Sequence, residues 1–599
     1  MSNIRLRLTL IAGLAAVALL LCACPDLSPV TEDWDVSTHV DDWRDEVIYQ
    51  LMVDRFADGD PNNNYNVNPY APAAYHGGDW QGVIDRLDYI QELGVTTLWI
   101  TPVVKNVEED AGVSSYHGYW TQDFTQVNPH FGDLAKLRQM VDECHARGIN
   151  VILDIVVNHI GQLFYYDINL NGRPDETLYG SGSGSDLTRV SEWDPDWDPR
   201  GIHAYTSMGE SGLAPTIFVY QPDINRVPPQ PSGFQNPNWY NRCGRVIDWN
   251  DFDQVVRGDF PGGLKDLNTS HPDVRLALVN AFSDWIAKAD LDGFRIDTLK
   301  HVEHGFWQVF CPNVRRRAAR MGKRNFLMFG EAFDGDDELI GSYTFNEEVD
   351  SVFYFSQKFT VIDGVIKGGN PTSEIESLLD QRGEHYSGVP NPRGPTDSYG
   401  DGLIAEQLLI NFIDNHDLPR FLYGFPNTSA LHQALIYIFS MQGIPCVYYG
   451  TEQQFEGGND PSNREDLWSS GYSTGGETFR VIRKLAQIRR ELAPLRRGDL
   501  RIRWSTERNG SEQDAGIFAF ERVYDGQAVL VVLNFSDDHS SQTSATDFEG
   551  DDMQTSFNAG TVLVNVWPDA DAADEFVVGD EGKLRITVPA RGAKILIAD

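Results

Sequence analysis

Asp292-Gly293-Phe294-Arg295-Ile296-Asp297-Thr298-Leu299-Lys300-His301 is the stretch whose reading decides the fold. A short apolar run ends in an acid, with an arginine two residues before it. Side chains at i and i+2 of a strand point to the same face. Arg295 and Asp297 are therefore expected side by side, with the guanidinium holding the carboxylate ionised and oriented. A nucleophile at the C-terminal end of an α/β-barrel strand needs that arrangement. Read alone, the stretch is more simply a structural ion pair. The segments around it decide otherwise.

Upstream, residues 47–53, 94–100 and 149–157 read as strands. Helical patterns over 81–93 and 133–147 lie between them. The third strand is almost continuously apolar, as in a parallel sheet. A helix over 273–288 leads into the central strand, and one over 304–321 leads out of it. Residues 325–331 form another apolar run that ends in an acid. Residues 352–355, 408–413 and 444–449 supply the sixth to eighth strands. A basic amphipathic helix over 477–495 closes the set. Eight strand–helix units predict an α/β fold, a (β/α)8 TIM barrel formed by residues 43–159 and 271–499.

Residues 160–270 interrupt the alternation after strand three. They are too long for a structureless loop and are expected to form a small inserted domain. Within them, Asp167-Ile168-Asn169-Leu170-Asn171-Gly172 matches the first half of a calcium loop, but Leu178 stands where the twelfth-position Glu belongs. From about residue 500 the helical pattern stops. Residues 500–599 read as an all-β domain, a sandwich, with strands near 516–520, 528–533, 561–566 and 584–588.

The composition is globular, and 48 Lys plus Arg against 88 Asp plus Glu give a net charge of −40. Phosphate repels such a surface, so nucleic acid is not an expected partner. Arg5, Arg7 and the apolar run 8–21 read as a targeting segment, too short for a confident membrane span. Leu21-Cys22-Ala23-Cys24 resembles a bacterial lipoprotein signal. Residues 1–24 would be processed and lipid attached to Cys24; a plain secretory signal is the alternative. Either reading exports the protein, to a lipid-anchored place at the outer surface or in the periplasm, or to the medium. Residues 25–42 read as a tether, and a monomer is expected. Cys144, Cys243, Cys311 and Cys446 allow three disulfide pairings. The absence of Cys-x-x-Cys argues against a zinc or redox site.

Three acids, Asp297, Glu331 and Asp417, follow barrel strands, on the face where barrel enzymes place their active sites. His159 and His416 end two further strands there. Retaining glycoside hydrolysis needs an ionised nucleophile and a protonated acid roughly 5 Å apart. Arg295 marks Asp297 as the ionised one, and the apolar run 326–329 is expected to raise the pKa of Glu331. The loop Asp58-Gly59-Asp60-Pro61-Asn62-Asn63-Asn64 is dense in oxygen side chains and lacks Lys and Arg. It suits a calcium ion or an ordinary Asx-rich turn. Tyr116-His117-Gly118-Tyr119-Trp120 suits stacking on sugar rings or a buried aromatic cluster.

Together these segments resemble the α-amylase family of retaining glycoside hydrolases. Asp154 to His159, Gly293 to Asp297 with Lys300-His301, Gly330-Glu331-Ala332, and Phe412 to Asp417 are similar to its four short motifs. Leu264 to Asn268 resembles its region near the end of the inserted domain. The resemblance implies an α-amylase acting on starch or other α-glucans, with Asp297 as nucleophile, Glu331 as acid–base and Asp417 favouring the transition state. It implies that Arg295 orients Asp297. His117, Tyr119, His159 and His416 would hold the sugar, and Lys300 and His301 would line the leaving-group side. It also implies Ca2+ held by Asn158, Asp266 and the backbone oxygen of His301. A second Ca2+, as in cyclodextrin glucanotransferases, would sit among Asp58, Asp60, Asn63, Asn64, Gly77 and Asp79. That second loop favours a transglycosylase; a chain ending after one β domain favours a hydrolase. A non-catalytic glucan-binding protein is a third reading, which three intact acids disfavour.

Overall fold

The computed structural model describes residues 35–110, 112–166, 197, 216–260, 262–544, 552–568 and 574–599. The targeting segment and Asp167–Asn171 lie outside them. Eight parallel strands form one sheet: β1 (Ile48–Leu51), β2 (Thr97–Ile100), β3 (Asn150–Ile155), β4 (Gly293–Ile296), β5 (Leu327–Gly330), β6 (Ser351–Val352), β7 (Ile410–Asn411) and β8 (Ile444–Tyr448). Their order is β6-β5-β4-β3-β2-β1-β8-β7, and a parallel bridge from Phe353 to Ile410 joins the two ends. The expected barrel is present.

Helices follow the strands at the expected places, with two breaks. The helix expected over 81–93 is two, α1 (Trp80–Asp85) and α2 (Leu87–Leu93), because Arg86 leaves helical geometry at φ −115°, ψ 10°. Asp79 caps α1 by accepting from Gly82 N at 2.6 Å. Asp133 caps α3 (Leu134–His145) in the same way through Lys136 N. Flanking the central strand are α4 (Pro272–Ala289) and α5 (His304–Met321). The last expected helix ends at Glu491 and restarts at Ala493, with Pro494 placed where its missing N–H costs nothing.

The inserted segment leaves and rejoins the barrel through one short antiparallel ladder, His159–Ile160 against Lys265–Asp266. This ladder sets Asp266 opposite His159 and beside Asn158.

The C-terminal strands are β9 (Asp499–Trp504), β10 (Ile517–Tyr524), β11 (Gln527–Asn534), β12 (Val562–Asn565), β13 (Glu575–Val577) and β14 (Ala593–Ala598). They form an antiparallel sheet in the order β9-β10-β11-β14-β12-β13. The sandwich's second layer is slight: two two-residue ladders over one face. The central strands β10 and β11 are buried on both faces. Leu530 and Val532 belong to the core of the domain itself, whereas Val529, Val531 and Leu533 join the barrel's core. All four described cysteines are buried free thiols, so the disulfides left open by the sequence are not formed among them.

Candidate active site

The ends of β3, β4 and β5 converge on one guanidinium. Arg295 Nη1 donates to both oxygens of Asp154, at 2.9 and 3.0 Å, and to Asp297 Oδ1 at 2.8 Å. Arg295 Nη2 lies 2.8 Å from Glu331 Oε2, but at an angle too bent to count as a hydrogen bond. Arg295 therefore contacts both candidate carboxyls and does not single out Asp297 by position alone. The difference is one of alignment: Asp297 receives a directed charge-assisted bond, and Glu331 receives only the charge and a long 3.4 Å contact from Thr298 N.

Backbone geometry fixes the acids. Asp297 N donates to Ile155 O at 2.9 Å, Glu331 N to Ile296 O at 2.8 Å, and Leu299 N to Glu331 O at 2.7 Å. Strand β5 can approach Leu299 this closely because its last residue is glycine. A Cβ on Gly330 would fall 2.5 Å from Leu299 Cδ2.

Asp297 and Glu331 are 7% and 6% exposed. Burial pushes Glu331 up to about 8 against the opposing Arg295, helped by the charges of Asp417 and Asp297. Burial also raises Asp297; Arg295 opposes this without cancelling it. The guanidinium acts on Asp297 in the expected direction, towards the ionised form, but desolvation is the larger influence on the carboxyl. Asp417 differs. Its side chain is 35% open, and His416, Arg464 and Arg295 together outweigh desolvation and hold it below the usual carboxylate range. Arg464 Nη2 donates to Asp417 Oδ1 at 3.3 Å.

A chain of donors runs behind the acids. Gln50 Nε2 donates to His416 Nδ1 at 2.7 Å, which places the ring proton on Nε2. Nε2 then donates to Tyr119 Oη at 2.8 Å, and Tyr119 Oη donates to Asp154 Oδ2 at 2.8 Å. Burial drives His416 down to about 3, so the ring stays neutral. His159, also driven down by burial, to about 4, sits 3.2 Å from the backbone oxygen of Tyr119.

A cavity of about 440 Å³ opens over Asp297, Glu331 and Asp417. Tyr119, His159, Lys300, His301 and His416 line it as the sequence predicts. Trp249, Phe260 and Phe333 line it too and were not foreseen. Arg295 lies beneath the floor. His117 lies behind Tyr119, its ring 5.7 Å away, and its Nδ1 accepts from Tyr119 N. The aromatic stretch 116–120 is thus divided: Tyr119 faces the cavity, while Tyr116 is buried under the Arg55 guanidinium. A larger cavity, about 630 Å³, lies at the edge of the β domain and contains no acid. Phe333 directly follows the Glu331-Ala332 pair and was legible from it. Trp249 and Arg464 sit in loops whose pattern carries no signal.

Lys300 Nζ donates to Phe333 O at 2.5 Å and to Asp334 Oδ2 at 3.1 Å, which fixes the loop after Glu331. His301 serves two places. Its ring packs edge-on to Phe260, 4.8 Å between centroids. Its backbone oxygen lies 2.8 Å from the side-chain amide of Asn158, which is also 3.3 Å from Asp266 Oδ1. With the amide oxygen on that side, three acceptors face one another without a donor. A turned amide or a cation relieves the conflict. Burial pushes the Asp266 carboxyl well above the usual carboxylate range.

The second oxygen cluster is also assembled. Asp79 accepts from Gly59 N, Asp60 N and Asn63 Nδ2 at 2.8–3.1 Å, and Asp58 Oδ2 accepts from Asn64 Nδ2 at 2.7 Å. Asn63 Oδ1 and Asn64 Oδ1 are buried without a partner. Gly77, at φ +103°, leaves room for the latter: a Cβ there would lie 2.6 Å from Asn64 Oδ1. Unpaired buried oxygens beside carboxylates fit a hard cation.

The family model described as "Alpha amylase, catalytic domain" matches residues 50–498. A β/α-amylase of Paenibacillus polymyxa is 29% identical over 540 residues, 86% of this chain, which spans only 36% of that relative. A cyclomaltodextrin glucanotransferase of Geobacillus stearothermophilus is 27% identical over 92% of this chain and 67% of its own length. Among solved structures, an Anoxybacillus α-amylase superposes with a TM-score of 0.68 at 27% identity, covering 93% of this chain and 98% of that one.

Proposed function

The chain belongs to the α-amylase family of glycoside hydrolases, and we propose that it hydrolyses α-1,4-glucosidic bonds of starch or related α-glucans, outside the cytosol, with retention of configuration. The observation that carries this reading is the single guanidinium touching both Asp297 and Glu331 at 2.8 Å. One planar fork touching both carboxyls keeps them close together, as the roughly 5 Å spacing of a retaining pair requires.

In this mechanism Glu331, protonated at neutral pH, gives its proton to the glycosidic oxygen. Asp297 attacks the anomeric carbon, the C–O bond breaks, and the leaving sugar departs as an alcohol. Glu331, now a carboxylate, takes a proton from water, which attacks the same carbon and frees Asp297. Asp417, ionised and partly open, accepts hydrogen bonds from sugar hydroxyls. Trp249, Phe260, Phe333 and Tyr119 supply the apolar walls.

Calcium fits both oxygen clusters and would tie the inserted segment and the 58–79 loop to the barrel. The position outside the cytosol, with lipid on Cys24 or as a secreted chain, rests on residues 5–24 of the sequence. A second reading, glycosyl transfer to a sugar acceptor, is favoured by the three aromatic side chains beside Lys300 and His301.

The test is turnover of maltoheptaose with calcium, followed by proton NMR and chromatography. Short linear products appearing first as the α-anomer are expected, and Glu331→Gln is expected to lose turnover while still binding glucan. Cyclic or longer products select the transfer reading. Products appearing as the β-anomer would overturn retention.

A further inference from the structure

The face of the barrel opposite the cavity carries a second cluster of ligating side chains. Residues 37–40 cross the N-terminal ends of β3 and β4 there. Ser37 N donates to Asp290 Oδ1 at 3.1 Å, and Thr38 Oγ1 accepts from Arg324 N at 2.7 Å. His39 Nε2 lies 3.0 Å from Asp290 Oδ2, and its ring stacks on that of His145, 3.6 Å between centroids.

The His145 ring is oriented from behind. Its Nε2 lies 2.7 Å from Asp292 Oδ2, and Lys323 Nζ lies 2.8 Å from Asp292 Oδ1. With Nε2–H donating to Asp292, a neutral His145 has its lone pair on Nδ1. Nδ1 faces Asp290 Oδ2 at 3.6 Å, beyond hydrogen-bond length. One ligating atom from each of His39, His145 and Asp290 lies within 4.8 Å of the other two. Three carboxylates, Asp142, Asp290 and Asp292, face two cations, Arg138 and Lys323, which leaves the surroundings negative.

We propose that His39, His145 and Asp290 bind one divalent transition ion of the zinc type, which clasps the N-terminal strap to the underside of the barrel. Two imidazoles and a carboxylate suit zinc and its neighbours, whereas calcium takes oxygens. A carboxylate behind a ligating histidine is the usual means of fixing its tautomer. Ligation turns the His39 ring out of the stack; its side chain, 27% exposed on the strap, is the free one, while Asp292 holds His145. The donor set contains no cysteine, so cysteine spacing did not reveal it.

The full chain, stripped with EDTA and returned to calcium, is titrated with Zn2+ by calorimetry and thermal denaturation. One Zn2+ per chain and a rise in Tm of several degrees are expected. Both are lost in His39→Gln, a strap variant that leaves the barrel intact, with maltoheptaose turnover in calcium unchanged. Co2+ in place of Zn2+ is expected to give a visible absorption band in the parent and none in the variant. Zn2+ binding of equal strength in His39→Gln, or no Zn2+ response in the parent, overturns the site.

Discussion

Asp154 is the residue on which the acids depend without being one of them. It takes two of the three bonds from Arg295 Nη1, one from Trp99 Nε1 and one from Tyr119 Oη. Replacing it by Asn leaves a buried guanidinium short of one charge, a change that typically costs about 3–5 kcal/mol. Asp154→Asn is expected to lower Tm and to cut kcat/KM by on the order of 10²-fold or more, measured by calorimetry and initial rates. Glu331 sets a pH limb. It must be protonated to act, and its pKa is pushed to about 8, so kcat/KM falls as pH rises through about 8. The same shift costs stability. An acid raised on folding is released first by the unfolded chain, so stability falls as pH climbs from about 4.5 to about 8. Glu331→Gln removes that slope and is expected to be more stable than the parent at pH 8 by an amount on the order of a few kcal/mol, read from denaturation curves at several pH values. The acids themselves were legible because each ends or follows an apolar run. Arg295's second partner was not, since nothing in a strand's alternation says how far a guanidinium reaches across to the next strand.

At the scale of elements, the long strands and helices followed from periodicity, and the short ones did not. Strands β6 and β7 are two residues each, held by their neighbours rather than by their own pattern. Arg86 and Leu492 break helices without any Gly or Pro at the break itself. Strands β9, β13 and β14 escaped notice. In β9, Leu500, Ile502 and Trp504 alternate with Asp499, Arg501 and Arg503, a charged edge that reads as loop. The 58–79 loop is an element in its own right, because Asp79 both caps α1 and gathers the loop's backbone. Asp79→Ala is expected to lower Tm, the cap alone costing about 1 kcal/mol. EDTA is expected to lower the Tm of the parent more than that of Asp79→Ala. Equal shifts in the two would remove this loop as an ion site.

At the scale of the molecule, the β domain shares a continuous hydrophobic core with the barrel. Phe518, Phe520, Val529, Val531, Leu533 and Ile595 sit in the barrel's core, each worth about 1.5–3 kcal/mol of burial. Two buried arginines meet at Leu495 O near the junction and bond through carbonyls alone, Arg489 within the barrel and Arg522 from the β domain to the barrel. Arg489 donates to Phe439, Leu495, Arg44 and Gly443, and Arg522 to Gly498, Ser440 and Leu495. Calorimetry of the full chain is expected to give one transition for both units, and removal of residues 500–599 to give insoluble protein. Two separate transitions would show independent domains. The order of the main sheet also bears on how it assembles. Strands β11 and β12 meet only through β14, which follows both by about thirty residues or more in sequence. The three-strand piece and the two-strand piece therefore wait for one late strand to join them, a non-local step that is slow for a chain to find. Until it docks, the face destined for the barrel stays wet and adhesive. Refolding yield is thus set by the race between this closure and aggregation, and falls as protein concentration rises.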